Sequence, residues 1–144
     1  MGLFSFLKGS GEKTIDSSAE NNINAVKLMD AVKANGLKVT DMDIELEGDT
    51  AKIWGVAADQ ATREKALLTI GNTKGIASVD DKMTTAVQEP EAQFHTVASG
   101  ESLSLIAKKY YGNAMKYTQI FEANKPLLSN PDRIYPGQVL RIPN

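Results

Sequence analysis

The chemistry in this chain starts with a stretch that has almost no reactive side chains. Residues 67–83 read LLTIGNTKGIASVDDKM, and an apolar run stops at Gly71 before a strand-like segment resumes after Gly75. Between Gly71 and Ile76 only Lys74 could act as an acid or base, and none is a soft metal ligand. The stretch is either a plain helix-to-strand connection or a site made of backbone. On residue types alone the plain connection is the stronger reading. Just downstream, Asp80 and Asp81 could hold a hard cation such as Ca²⁺. Neighbouring strand residues point to opposite faces, so the pair reads as a solvated strand end. His95 is the only histidine, and alone in a strand it reads as a surface or packing residue. Ser99 to Ser102 (SGES) is a turn with an N-cap, and no Ser, His and Asp constellation is credible. Lys108, Lys109, Tyr110 and Tyr111 read as one helix-end face rather than a nucleic-acid surface. No catalytic site emerges, and a non-enzyme is expected.

The composition narrows the classes further. The chain has 144 residues, enough for one ordinary domain or two small ones. It is 42% hydrophobic and 24% charged, as globular chains are. Sixteen basic against 18 acidic residues leave a net charge of −2, with no basic stripe for nucleic acid. There is no cysteine, which excludes disulfides, thiol chemistry and zinc–thiolate sites. The start, MGLFSFLKGSGEK, has a short apolar patch followed by Lys8, the reverse of a secretory leader. Phe6 stands where a myristoylation site wants Ser or Thr. A cytoplasmic location and no stable membrane insertion are expected. Leu3, Phe4, Phe6 and Leu7 read as a staple packed on the next domain, with a membrane or partner contact as the alternative.

The elements that must position these residues follow from periodicity. Ser17 and Glu20 have capping-box spacing, and Ile23, Val26, Met29 and Val32 suggest the inner face of a helix ending at Asn35-Gly36. Met42, Ile44 and Leu46 alternate with Asp43, Glu45 and Glu47, a half-buried strand. Gly48-Asp49 turns the chain into the returning strand TAKIWGVA. Asp59 can cap a second helix with Ala66, Leu67 and Ile70 inward, and Gly71 falls where a C′ glycine belongs. A third strand runs from about Ser78 to Thr84. This order predicts two helices on one side of a three-stranded sheet, an α+β sandwich. Residues 87–93 are polar, contain Pro90 and read as a linker. Beyond them a strand from Phe94 to Val97, a helix capped by Ser102, a helix from about Met115 to Asn124 and a strand at Val139 to Ile142 form a second unit.

That second unit, residues 94–144, resembles a LysM domain. The marks are V-x-x-G-E-S-L at Val97 to Leu103, I-A at Ile106-Ala107 and Y-G at Tyr111-Gly112. I-x-x-A-N at Ile120 to Asn124 and the ending I-x-P-G-Q-x-L-x-I-P at Ile134 to Pro143 complete them. Residues 21–86 are similar to a BON domain, through Gly55 and G-I-x-x-V-x-D at Gly75 to Asp81. An arm at residues 1–20, one BON domain (αββαβ), a short linker and a terminal LysM (βααβ) together resemble a family of small cytoplasmic potassium-binding proteins.

The resemblance implies a K⁺ sensor or buffer whose two domains draw together around the ion. It implies coordination by main-chain carbonyls of Gly71, Thr73 and Ile76, with Leu7, Ser10 and Glu12 from the arm. The residue types depart from the usual pattern at Ser10 and Thr73. A carbonyl site tolerates such changes, because K⁺ is served by neutral oxygens that replace its hydration shell. The last carbonyls of a helix lack intrahelical partners, and the helix dipole favours a cation there. A LysM domain also implies a rival function, binding of N-acetylglucosamine glycans such as peptidoglycan. Its groove would use Gly100, Glu101, Ser102 and Leu103 with Asn130, Pro131 and Arg133. A BON domain implies phospholipid contact as a further alternative. K⁺ is the expected ligand and a monomer the expected state, and the sequence does not identify a protein partner.

Overall fold

The computed structural model describes residues 2–6 and 21–143. Strand β1 (Gly2–Ser5) comes first, then α1 (Asn21–Ala34), β2 (Val39–Glu47), β3 (Thr50–Ala57), α2 (Gln60–Gly71), β4 (Ser78–Asp81) and β5 (Thr84–Thr85). The sheet runs β1-β4-β3-β2, with β5 added beside β3. Strands β2 and β3 form an antiparallel hairpin, β4 lies parallel to β3, and β1 closes the far edge antiparallel to β4.

The pattern predicts three strands, and the sheet has five. The apolar arm does more than staple the domain: Gly2 to Ser5 pair with Asp81 to Ser78 as a strand. An open edge on β4 would leave unpaired peptide groups, which β1 satisfies. The expected third strand is split, because Asp81 turns back to accept the Met83 N–H at 2.9 Å before β5 resumes.

The face of α1 also differs from its prediction. Ala25, Leu28 and Val32 are buried, whereas Val26 is half exposed. A strict three-residue step drifts around a helix of 3.6 residues per turn, so the stripe through Val26 leaves the core. The register of the hairpin shifts at a bulge between Thr40 and Asp43. Gly55 sits opposite it at φ 145°, where a Cβ would lie 2.7 Å from the Val39 side chain.

Helix α2 starts as expected. The Asp59 carboxylate accepts the Thr62 N–H at 2.7 Å. Its end is different. Gly71 is the last helical residue, and the C-cap is Asn72 with φ −81° and ψ 5°. Gly71 is therefore not needed for a left-handed turn.

The second unit comprises β6 (Gln93–Thr96), α3 (Leu103–Tyr111), a 3₁₀ turn at Ala114–Lys116, α4 (Tyr117–Ala123) and β7 (Val139–Ile142). Strands β6 and β7 pair antiparallel. Ser102 caps α3, and Gly112 ends it in the left-handed region at φ 72°. The expected second helix splits into the 3₁₀ turn, capped by Asn113, and α4. Val97, Leu103, Ile106, Ile120, Leu128, Leu140 and Ile142 form the core of this unit.

The two units share a seam. Val139 of β7 belongs to the first core, and Phe94 and Leu127 pack against it. Helix α2 is thus covered on two sides, which explains why it buries Gln60 and Glu64 along with Leu67, Leu68 and Ile70.

Candidate cation site and the domain seam

The turn from Gly71 to Ile76 is held from three directions. Within the turn, Asn72 N–H donates to Leu68 O at 2.9 Å and Thr73 N–H to Ile70 O at 3.1 Å. The buried Thr73 hydroxyl donates to Thr69 O at 2.9 Å, and Ile76 N–H donates to Thr73 O at 3.1 Å. Gly75 takes φ 104°, a left-handed geometry that a glycine adopts without strain. Among the described residues, no bond of this kind reaches the carbonyl oxygens of Gly71 and Ile76. Thr73 O keeps a second lone pair. The negative end of the α2 dipole points at the same turn.

The second hold comes from the arm. Phe6 N–H donates to Ala77 O at 2.7 Å, carrying the β1 pairing past the strand. The buried Phe6 ring lies on Gly71, so close that a Cβ there would sit 2.0 Å from ring atom Cζ. Glycine at position 71 is a matter of room for Phe6. Residues 2–6 of the arm therefore run along β4 to the turn, with Phe6 packed on it. Leu7, Ser10 and Glu12 lie outside the described residues, as does the Ser17–Glu20 box.

The third hold reaches across to the second unit, and sequence reasoning missed it. The Asn72 side chain donates to Val139 O at 3.0 Å and accepts Val139 N–H at 2.9 Å. A side-chain amide carries the same donor and acceptor as a peptide group, so Asn72 pairs with the outer edge of β7 as a strand residue would. Two residues along, Asn124 repeats the device on Arg141, at 2.9 Å in both directions. One asparagine from each unit thus closes the edge of β7.

A buried ion pair fixes the seam beside it. Arg141 Nε donates to Glu64 Oε1 at 2.9 Å, and a second guanidinium nitrogen lies 2.8 Å from the same oxygen. Glu64 Oε2 accepts Gln60 Nε2 at 3.0 Å and Ala92 N–H at 2.9 Å. Arg141 also donates to Ala123 O at 3.1 Å. With every lone pair met, the desolvation cost of the pair is largely offset. Burial, and after it the Arg141 charge, holds the Lys65 ammonium below the ordinary lysine value. The 87–93 stretch is no free tether, because Glu89 accepts Gln60 N–H at 3.3 Å and Ala92 binds Glu64. Phe4 meets Phe94 with ring centroids 5.4 Å apart.

The remaining candidates fall elsewhere. Asp80 and Asp81 do point apart, but Asp81 is buried and paired with Arg63 at 2.9 Å, so it is not a solvated strand end. His95 is a buried packing residue, bonded to Tyr110 Oη at 3.0 Å and to Glu101 Oε1 at 2.8 Å. Lys109 lies over the Tyr110 ring at 5.7 Å. In the expected glycan groove, Glu101 also accepts Ala98 N–H at 2.7 Å, and Ser102 caps α3 through Leu105 N–H. Leu103 is in the core, Gly100 is exposed at φ 85°, and the Asn130 side chain accepts Asp132 N–H at 2.8 Å. Pro131 lies within that turn, and Arg133 N–H closes it on Asn130 O at 3.1 Å. Among the described residues no three His, Asp or Glu side chains gather to hold a metal ion. None of their helices is long and apolar enough to cross a membrane.

Comparison with known proteins fits this two-part architecture. A profile of the LysM domain matches residues 95–143. Over 147 aligned positions and 99% of both chains, the sequence is 46% identical to the protein named Potassium binding protein Kbp from Escherichia coli O6:H1. The chain belongs to the Kbp family. An uncharacterized protein of Deinococcus radiodurans is 33% identical over 98% of this chain, which spans half of that longer relative. The family thus extends over both units and the seam between them, not over the LysM part alone.

Proposed function

We propose that this protein binds K⁺ in the cytoplasm as a monomeric, non-enzymatic sensor or buffer. The observation that carries the reading is the 46% identity, over 99% of both chains, to a protein named for potassium binding. The first unit, residues 21–86, is read as a BON domain. The ion sits where the arm passes the end of α2, on carbonyl oxygens of Gly71, Thr73 and Ile76 with Leu7, Ser10 and Glu12 from the arm. Three features support that placement: the dipole end of α2, the left-handed Gly75, and the Phe6 ring seated on Gly71. Neutral oxygens suit K⁺, which surrenders its hydration shell readily to carbonyl groups.

Asn72 lies between two of the proposed ligands and is bonded to β7. Ion capture that orders this turn therefore also favours docking of the second unit. The test is a titration of the purified protein with KCl against NaCl at equal ionic strength, following the thermal midpoint and Trp54 emission. A specific ligand stabilises by RT ln(1 + [L]/Kd), about 2.7 kcal/mol at a hundredfold excess over Kd. A saturable rise with K⁺ and little with Na⁺ is expected, and removal of residues 1–12 should abolish it. Coincident curves would sink the reading.

The LysM match favours one alternative, binding of an N-acetylglucosamine glycan at Gly100 to Leu103 and Asn130 to Arg133. A pull-down on insoluble peptidoglycan tests this alternative: retention that Arg133→Ala weakens would support the groove, and no retention would remove it.

A further inference from the structure

A cleft of about 250 Å³ opens in the seam, between the ends of α1 and α2 and the segments on either side of the 130–133 turn. Its walls carry Asn35, Thr69 and Thr73 from the first unit and Ser129, Tyr135 and Gln138 from the second, with Leu68, Pro126 and Leu127 between them. Among the described residues, no Asp, Glu, Lys, Arg or His lines it. These walls offer a charged organic ligand no ion-pair partner, and they favour an uncharged one held by neutral hydrogen-bonding groups. The wall is instead an even mixture of amides, hydroxyls and apolar surface.

The hydrogen bonding leaves particular groups over. Asn35 Nδ2 donates to Thr69 Oγ1 at 3.1 Å, which leaves Asn35 Oδ1 as an acceptor. Gln138 Oε1 accepts Tyr135 N–H at 3.3 Å, which leaves Gln138 Nε2 as a donor. Ser129 supplies a hydroxyl that does both. One acceptor, one donor and one group of either kind face a common space from two units, beside an aromatic ring. That set matches a small solute with several hydroxyls and an apolar face. Drug-sized ligands take roughly 300–1,000 Å³, so this cleft suits something smaller, of monosaccharide size.

We propose that this interdomain cleft binds an uncharged, polyhydroxylated solute of about monosaccharide size, bridging Asn35 to Ser129 and Gln138. The proposal does not rest on the cation reading, although Thr73 lines the cleft and is also a proposed K⁺ ligand, and it places the ligand across the seam rather than in the groove at 100–103 and 130–133. The test is amide chemical-shift mapping of the full chain titrated with glucose, N-acetylglucosamine and myo-inositol, in KCl and again in NaCl. At least one probe should give saturable shifts at Asn35, Thr69, Thr73 and Gln138. Two variants guard against misfolding. Ser129→Phe fills the cleft from an exposed position, and Gln138→Glu keeps the acceptor for Tyr135 while adding a charge. Each should weaken binding at least tenfold, whereas Arg133→Ala should leave it unchanged. Saturable shifts confined to residues 98–103 and 130–133 would overturn the proposal in favour of the glycan groove. Absence of saturable shifts with all three probes up to tens of millimolar would reduce the cleft to a water-filled seam.

Discussion

Gly71 shows how one missing carbon can organise a site. The Phe6 ring occupies the place of its Cβ, so any larger residue must lift the arm from the turn. Overpacking of this kind costs about 1–3 kcal/mol. Gly71→Ala should therefore lower the thermal midpoint in NaCl and also remove most of the extra stabilisation given by KCl. A Gly71→Ala protein that keeps the whole K⁺ increment would separate the arm from the ion. Asn72→Ala acts on the other side of the same turn. It strips two hydrogen bonds and leaves the Val139 peptide group short of partners, at about 1–3 kcal/mol. Hydrogen exchange should speed up along Val139 to Ile142 while the first unit stays protected; uniform protection of β7 in the variant would mean that Asn72 holds nothing.

At the level of elements, the entry to α2 carries a pH signature. Hydrogen bonds from Thr62, its side chain first and its N–H second, hold the Asp59 carboxyl below its ordinary value near 3.8. The stability this gives is complete above that value and is lost as pH falls through the lower, folded one. Asp59→Asn keeps the cap without the titration, so its difference from the parent in urea unfolding should be constant from neutral pH to about pH 5 and shrink in stronger acid. Asp59→Ala should cost about 1 kcal/mol at neutral pH. A difference that grew below pH 4 would reverse the assigned sign. Such caps, and the alternation of β2, are legible because their cause lies within a few residues. Asp59, Ser102 and Gly112 all act where the sequence places them. What stays hidden is long range. Four residues, GLFS, pair with a strand more than seventy positions away, and nothing local marks them as a strand. Asn72 looks like any polar residue after a helix, and its partner stands 67 residues on. Nothing local marks Glu64 and Arg141, 77 residues apart, as the ion pair that the seam buries. A carbonyl site is the extreme case, since its ligands are common to every residue. For the site proposed at the turn after α2, only the whole-chain resemblance points to the ligands.

On the scale of the molecule, the seam ties the turn to the second unit. If K⁺ favours the docked arrangement by some factor, docking must favour K⁺ by the same factor. Arg141→Met tests this away from the turn. It leaves Glu64 buried without its charge partner, a loss of about 3–5 kcal/mol for pairs of this kind, and the Asn124 bonds to the Arg141 backbone remain available. Two quantities decide the outcome: the K⁺ dissociation constant by calorimetry, and the radius of gyration by small-angle scattering in KCl and NaCl. The parent chain should be more compact in KCl. Arg141→Met should be more extended in NaCl and bind K⁺ several-fold more weakly, although it touches none of the proposed ligands. Saturating K⁺ should recover part of its compactness, because the ion then supplies the free energy that the ion pair no longer does. An Arg141→Met chain that is extended yet binds K⁺ with the parent's affinity would break the link. The turn would then hold its ion as a property of the first unit alone, and the grip of Asn72 on β7 would serve docking without sensing.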